Sequence, residues 1–147
     1  MADWVSYKLT GADELSAKFR ELSQGMRSKV AVPAAKDAME LVMNEAKDRA
    51  DRIDDPATRN QISSNIAMIE QKKLGEELGA AIVSVGVKKS RPGQRGGNTF
   101  YWWYVELGTE HSASFPFMRG ALASKREDVF KEFLSSAKYQ LIKLGAN

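Results

Sequence analysis

The sequence predicts an α+β fold: a small antiparallel sheet packed against two long helices, with a long basic hairpin loop. Three observations lead there. Apolar residues recur at helical spacing over residues 26–50 and again over 117–144. Residues 80–87 are rich in β-branched side chains and alternate from Val83 onward, which is strand chemistry. Tyr101, Trp102, Trp103 and Tyr104 then form an unbroken aromatic run, each ring able to bury about 150–250 Å². At 147 residues the chain is expected to make one domain, 1–147.

Taken in order, Val5, Tyr7 and Leu9 alternate with polar neighbours and predict a short strand over residues 3–10, ended by Gly11. Leu15, Phe19 and Leu22 lie at helical spacing behind a cap at Thr10 or Asp13. Ser23, Gln24 and Gly25 interrupt that pattern. It resumes at Met26 and Val30 and continues through Ala34, Ala38, Leu41, Val42, Ala46 and Ala50. Pro33 either sets the start of this helix near Val32 or kinks it. The stripe is rich in alanine and methionine and reads as a core face or a subunit contact.

Asp54, Asp55 and Pro56 are turn chemistry and end the helix. Ile62, Ile66, Ile69 and Leu74 predict a further helix within residues 58–74. The strand at 80–88 follows, then a flexible loop over residues 88–98, longer than the usual hairpin connection. The aromatic run is expected to be the third strand. Alternation there buries Tyr101 and Trp103 on one face and leaves Trp102 and Tyr104 on the other. Two apolar faces on one strand call for a partner, because large exposed apolar patches normally mark interfaces. Gly108 predicts a corner with positive φ, and Pro116 opens the closing helix. That helix carries Phe117, Leu122, Val129, Phe130, Phe133, Leu134, Ala137, Leu141 and Leu144 as its apolar stripe.

Composition removes several classes. There is no cysteine, so neither a disulfide framework nor a thiolate metal site is available, which suits a reducing cytoplasm. Residues 1–4 lack the basic start of a secretory signal, and no apolar run approaches the roughly 20 residues of a membrane span. The net charge of +3 is local in origin. Between Glu77 and Glu106 there is no acid but four bases, Lys88, Lys89, Arg91 and Arg95.

An enzyme would have to use His111, the single histidine, beside Glu106 and Glu110. No second histidine completes a zinc site, and Ser112 and Ser114 lack a nucleophile-elbow context. The expectation is no catalysis, no metal and no cofactor. Glu106 is read instead as an acceptor for backbone N–H groups or as a partner of Arg119, with His111 a surface loop residue. The glycines at 93, 96 and 97 lack the Gly-Lys-Ser/Thr ending of a phosphate loop. The basic loop remains open to three readings: a solvated tip, a contact for an acidic protein, or a contact for nucleic acid with Trp102 or Trp103 stacking a base.

Tyr104, Val105, Glu106, Leu107, Gly108 and Thr109, followed by Pro116, Phe117, Met118, Arg119, Ala121 and Leu122, resemble the signature of the tail-completion (head–tail joining, neck) family of long-tailed bacteriophages. Gly120 stands where that family often carries proline, and Phe115 replaces a commonly polar or proline position. The resemblance implies a virion structural protein at the neck or tail, assembled in the host cytoplasm. It implies a homo-oligomeric ring that docks to neck, tail terminator or tail tube proteins, with DNA nearby in the channel. No membrane and no small-molecule substrate are implied. The expected contact residues are Trp102, Trp103, Tyr104, Glu106, Gly108, Thr109, Phe115, Phe117 and Arg119, with Lys88, Lys89, Arg91 and Arg95 on the loop.

Overall fold

A computed structural model describes residues 12–89, 91 and 93–145. The strand expected over residues 3–10, and the Thr10 cap, lie outside them. The elements run α1 (Ala12–Arg20), α2 (Gln24–Asp51), α3 (Ile62–Asn65), β1 (Ile66–Glu70), α4 (Lys72–Leu78), β2 (Val83–Val87), α5 (Trp102–Leu107) and α6 (Phe117–Lys143). The class is α+β as expected: a two-stranded antiparallel sheet lies against the long helices.

The pause at residues 23–25 is the start of α2. Ser23 is its N-cap, with the hydroxyl accepting from the Met26 N–H at 3.4 Å. The helix runs on through Pro33, so it does not begin near Val32. Proline there leaves the Lys29 carbonyl without its intrahelical donor, a cost that the packing on either side must offset.

Val30, Ala34, Ala38, Val42, Ala46 and Ala50 are all buried along α2. A strict four-residue period advances about 40° per step on a helix of 3.6 residues per turn, so this stripe winds around the helix and meets different partners. At one end Val30 and Ala34 pack with Leu15 of α1 and with Ala137 and Leu141 of α6. At the other, Val42, Ala46 and Ala50 pack with Ile62, Ile66, Phe117 and Ala121. The two long helices are therefore antiparallel. Alanine lets their backbones approach closely, and Ser136 of α6 donates to the Asp37 carboxylate across the seam at 2.5 Å.

Two regions differ from expectation. The helix expected within 58–74 breaks after four residues, and Ile66–Glu70 becomes β1. It pairs with β2 in the register Ile66 with Val87 through Glu70 with Val83. Asn65 is the last residue of the helical turn, its side chain bonded to residues 94–99 (below), and Ile66–Glu70 pairs along its whole length with Val83–Val87. The aromatic run, conversely, is helix and supplies no strand. The long basic connection therefore leads from a strand into a helix and is not a hairpin loop. The hairpin that does exist joins β1 to β2 through α4, closed by Gly79 in the left-handed conformation. A two-stranded sheet alone is marginal in water. Here Ile66, Val85 and Val87 bury against α2, and Lys36 of α2 pairs with Glu70 at 3.0 Å.

Candidate functional site: the aromatic corner

As a helix, α5 sorts its aromatics differently from a strand. Tyr101, Trp102 and Val105 face inward and pack against the Val42–Ala46–Ala50 cluster. Trp103, Tyr104 and Leu107 share the outer face of α5, and Phe100, just before the helix, is bare as well, each between 56% and 66% exposed. The inside–outside division expected from alternation is thus overturned at Trp102 and Trp103. The two indoles stack on each other, with centroids 4.0 Å apart. Burial raises the Tyr101 phenol pKa above its usual 10.0, and the nearby Asp54 carboxylate pushes it the same way.

Glu106 closes α5 and is 4% exposed. Its carboxylate accepts from the Met118 N–H at 2.9 Å and the Arg119 N–H at 3.0 Å, two of the donors that the first turn of α6 leaves unpaired. The Arg119 guanidinium donates to the same carboxylate at 3.0 Å and to the Glu106 carbonyl at 2.8 Å. Glu106 therefore acts in both ways the sequence offered. A negative charge at a helix N-terminus is also favoured by the helix dipole. Helix α6 begins at Phe117, with Pro116 as its N-cap.

Gly108 makes the corner. Its φ of 77° with ψ of 171° is a region that only glycine occupies comfortably. A β-carbon there would come within 2.8 Å of the Ser114 amide nitrogen and 3.1 Å of the Ser112 carbonyl oxygen. The loop beyond returns onto α5: Ser114 donates its hydroxyl to the Glu106 carbonyl at 2.9 Å, and the Phe115 N–H donates to the Val105 carbonyl at 2.8 Å. Those are the carbonyls that a helix end otherwise leaves to water.

Phe117 is fully buried and serves the core, while Phe115 is exposed. Thr109 is exposed and bridges Ser112 across the loop. His111 lies on the open surface beside Glu110, at 3.0 Å, its one side-chain partner among the described residues. Among the described residues no group of three or more candidate ligands gathers to hold a metal.

The basic segment is less free than its composition implied. Asn65, fully buried, donates to the Gly97 carbonyl at 3.2 Å and to the Thr99 hydroxyl at 2.7 Å, and its carbonyl oxygen accepts from Gln94 at 2.6 Å. The Gln61 N–H donates to the Gly96 carbonyl at 2.7 Å, and the Asn98 N–H to the Asn60 side chain at 2.9 Å. Gly96 and Gly97 have positive φ and lie so close to Asn65 and Asn60 that a β-carbon at either would collide. The segment is a strap tied down at Asn60 and Asn65. Lys88, Lys89, Arg91 and Arg95 stand exposed along it.

Sequence reasoning missed three residues of this region. Asp54 ends a turn as expected, but its carboxylate also accepts from the Ile62 and Ser63 N–H groups at 2.8 and 3.0 Å and so starts α3. Asn65 gave no signal beyond weakening a helix. Arg49 lies over Gly120, where a β-carbon would come within 2.6 Å of its guanidinium and the flexible arginine would have to move aside.

The strap and α5, up to the corner glycine, fall within the region the chain shares with known sequences, and the loop and α6 side of the corner lie beyond it. Residues 13–108, well over half of the chain and running from α1 to the corner glycine, match the family described as "Bacteriophage HK97-gp10, putative tail-component". No curated protein and no solved structure matches the chain. No helix among the described residues is long and apolar enough to cross a membrane. On the extent of the family match, the chain belongs to the HK97-gp10-like family of bacteriophage tail components.

Proposed function

We propose that this protein completes the tail at the neck of the virion, joining head to tail as a ring of identical copies docked on neck, tail terminator or tail tube proteins. It works by contact and performs no reaction. The observation that carries the reading is the outward face of α5, with Trp103, Tyr104 and Leu107 bare on a helix whose other face is already packed, and Phe100 bare just before it. Tyrosine and tryptophan are favoured anchors of interfaces, and an apolar patch of this kind is costly on a lone subunit. The corner supports the same reading. Glu106, Gly108 and Arg119 hold α5 rigidly on α6, so the stripe is presented by a fixed support.

A ring of like subunits needs heterologous contacts that repeat around one axis. The exposed bases Lys88, Lys89, Arg91 and Arg95 would then face a neighbouring protein or DNA in the channel. A small nucleic-acid-binding module is the rival. It has the four bases in its favour, but the two indoles spend a face on each other, which leaves less for stacking a base.

Phage particles produced with and without this protein test the reading. Heads and tails that stay separate in its absence, and join when the wild-type chain is supplied, are expected. Normal joined particles without it would overturn the proposal.

A further inference from the structure

The outer edge of β2 is open among the described residues, and the chain carries a segment that fits it. We propose that residues 3–10 of the same copy add to this edge as a third, antiparallel strand.

Two bonds at the ends of the ladder fix which way each peptide of β2 points. The Gln71 N–H donates to the Ile82 carbonyl and the Lys88 N–H to the Asn65 carbonyl, both at 2.8 Å. Residues that bond a given neighbour alternate along an antiparallel strand, so Ile82, Ser84, Gly86 and Lys88 turn towards β1. Val83, Val85 and Val87 therefore turn their N–H and carbonyl groups away from it, and no described residue bonds them. An uncharged valine edge without proline is one that proteins cover, because it otherwise pairs with other chains. The outer edge of β1 is less open. Its Ile66 N–H already donates to the Ser63 carbonyl, and Glu70 brings a charge there, paired with Lys36.

The place where α1 begins selects the occupant. Ala12 borders an apolar cavity with Phe19, Phe133 and Ala137. Phe19 and Phe133 also line the adjoining groove, together with Ala80, Ala81 and Ile82, which lead into β2. A segment that ends at Gly11 thus arrives beside the start of β2 and runs against it. Fully extended, residues 3–10 span roughly 26 Å at about 3.3 Å per residue, enough to follow the five residues of β2 from end to end.

The side-chain pattern agrees. With Leu9 opposite Val83, Tyr7 falls opposite Val85 and Val5 opposite Val87. Directly opposed residues share a face, so the alternating apolar set joins the face on which Val85 and Val87 pack towards α2. Ser6 and Lys8 then lie with Gly86 and Ser84 on the other face. A third strand relieves the marginal stability of a two-stranded sheet. It also closes the edge within each copy, so that the sheet offers no pairing site to its neighbours in an assembly.

The chain has no cysteine, so a test pair can be introduced alone. Lys8 and Ser84 would form a non-hydrogen-bonded pair, with Cα atoms about 4.5 Å apart and within disulfide reach. Full-length Lys8→Cys/Ser84→Cys should close a disulfide within one chain on mild oxidation, and adding Tyr7→Pro should prevent it. In the wild type the Val85 amide should exchange slowly with solvent, and Tyr7→Pro should abolish that protection while amides of α2 and α6 keep theirs. A Val85 amide that exchanges as an open edge does would overturn the proposal, whether or not the cysteine variant folds. A folded cysteine pair that stays reduced would overturn it as well. A disulfide formed between chains would overturn the own-copy strand in favour of one exchanged between neighbours.

Discussion

Removing the buried Glu106 carboxylate would strand two N–H groups of the first turn of α6 and take away the acceptor of the Arg119 guanidinium. Glu106→Ala should therefore lower unfolding stability by about 3 kcal/mol, in the range for breaking a buried, charged hydrogen-bond set. Arg119→Ala should cost about 1 kcal/mol or less, because that side chain is largely in solvent. Urea titrations of the two variants compare these directly. Gly108→Val combines a disfavoured φ with a collision at Ser114 and should cost more than about 1 kcal/mol. Tyr101 sets a limit at alkaline pH. Its folded pKa lies above its unfolded value, so its contribution to stability is intact below pH 10 and is lost as pH rises through the folded pKa. Tyr101→Phe should remove that part of the alkaline loss, measured as unfolding midpoint against pH.

At the scale of elements, the strap and α5 show what the sequence disclosed and what it did not. The long helices, the turn at Asp54, the strand around Val85, the positive φ of Gly108 and both partners of Glu106 were legible, because each rests on local spacing or on a residue with one physical role. The aromatic run was not. Four rings in succession favour a strand by propensity, but helical spacing puts Tyr101, Trp102 and Val105 on one inward face and delivers Glu106 to the first turn of α6. The Ile66–Glu70 strand was hidden likewise, because its apolar run continues the period of the turn before it until Asn65 is seen to bond Gly97, Thr99 and Gln94 some thirty residues away. That long-range tie also turns a glycine-rich, basic segment from a free loop into a strap. Asn65→Ala should cost about 1–3 kcal/mol by leaving partners unpaired. It should also speed amide hydrogen exchange at Arg91 and Gly97, whose N–H groups are held through Gln94.

For the whole molecule, packing and assembly divide the aromatic corner between them. Phe117 is fully buried between the long helices, so Phe117→Ala should unfold the chain by about 3–5 kcal/mol. Trp103 and Tyr104 face outward from the same corner, and replacing them should keep the fold at a cost of about 1 kcal/mol for the lost stack on Trp102. The most direct measurement of the central claim is native mass spectrometry of the wild-type chain beside Trp103→Ser/Tyr104→Ser, with thermal unfolding recorded on both. The wild type should run as one discrete closed oligomer and the variant as monomer, its unfolding temperature lowered only by the loss of the stack on Trp102. A variant that assembles as the wild type does, with both rings removed, would contradict it.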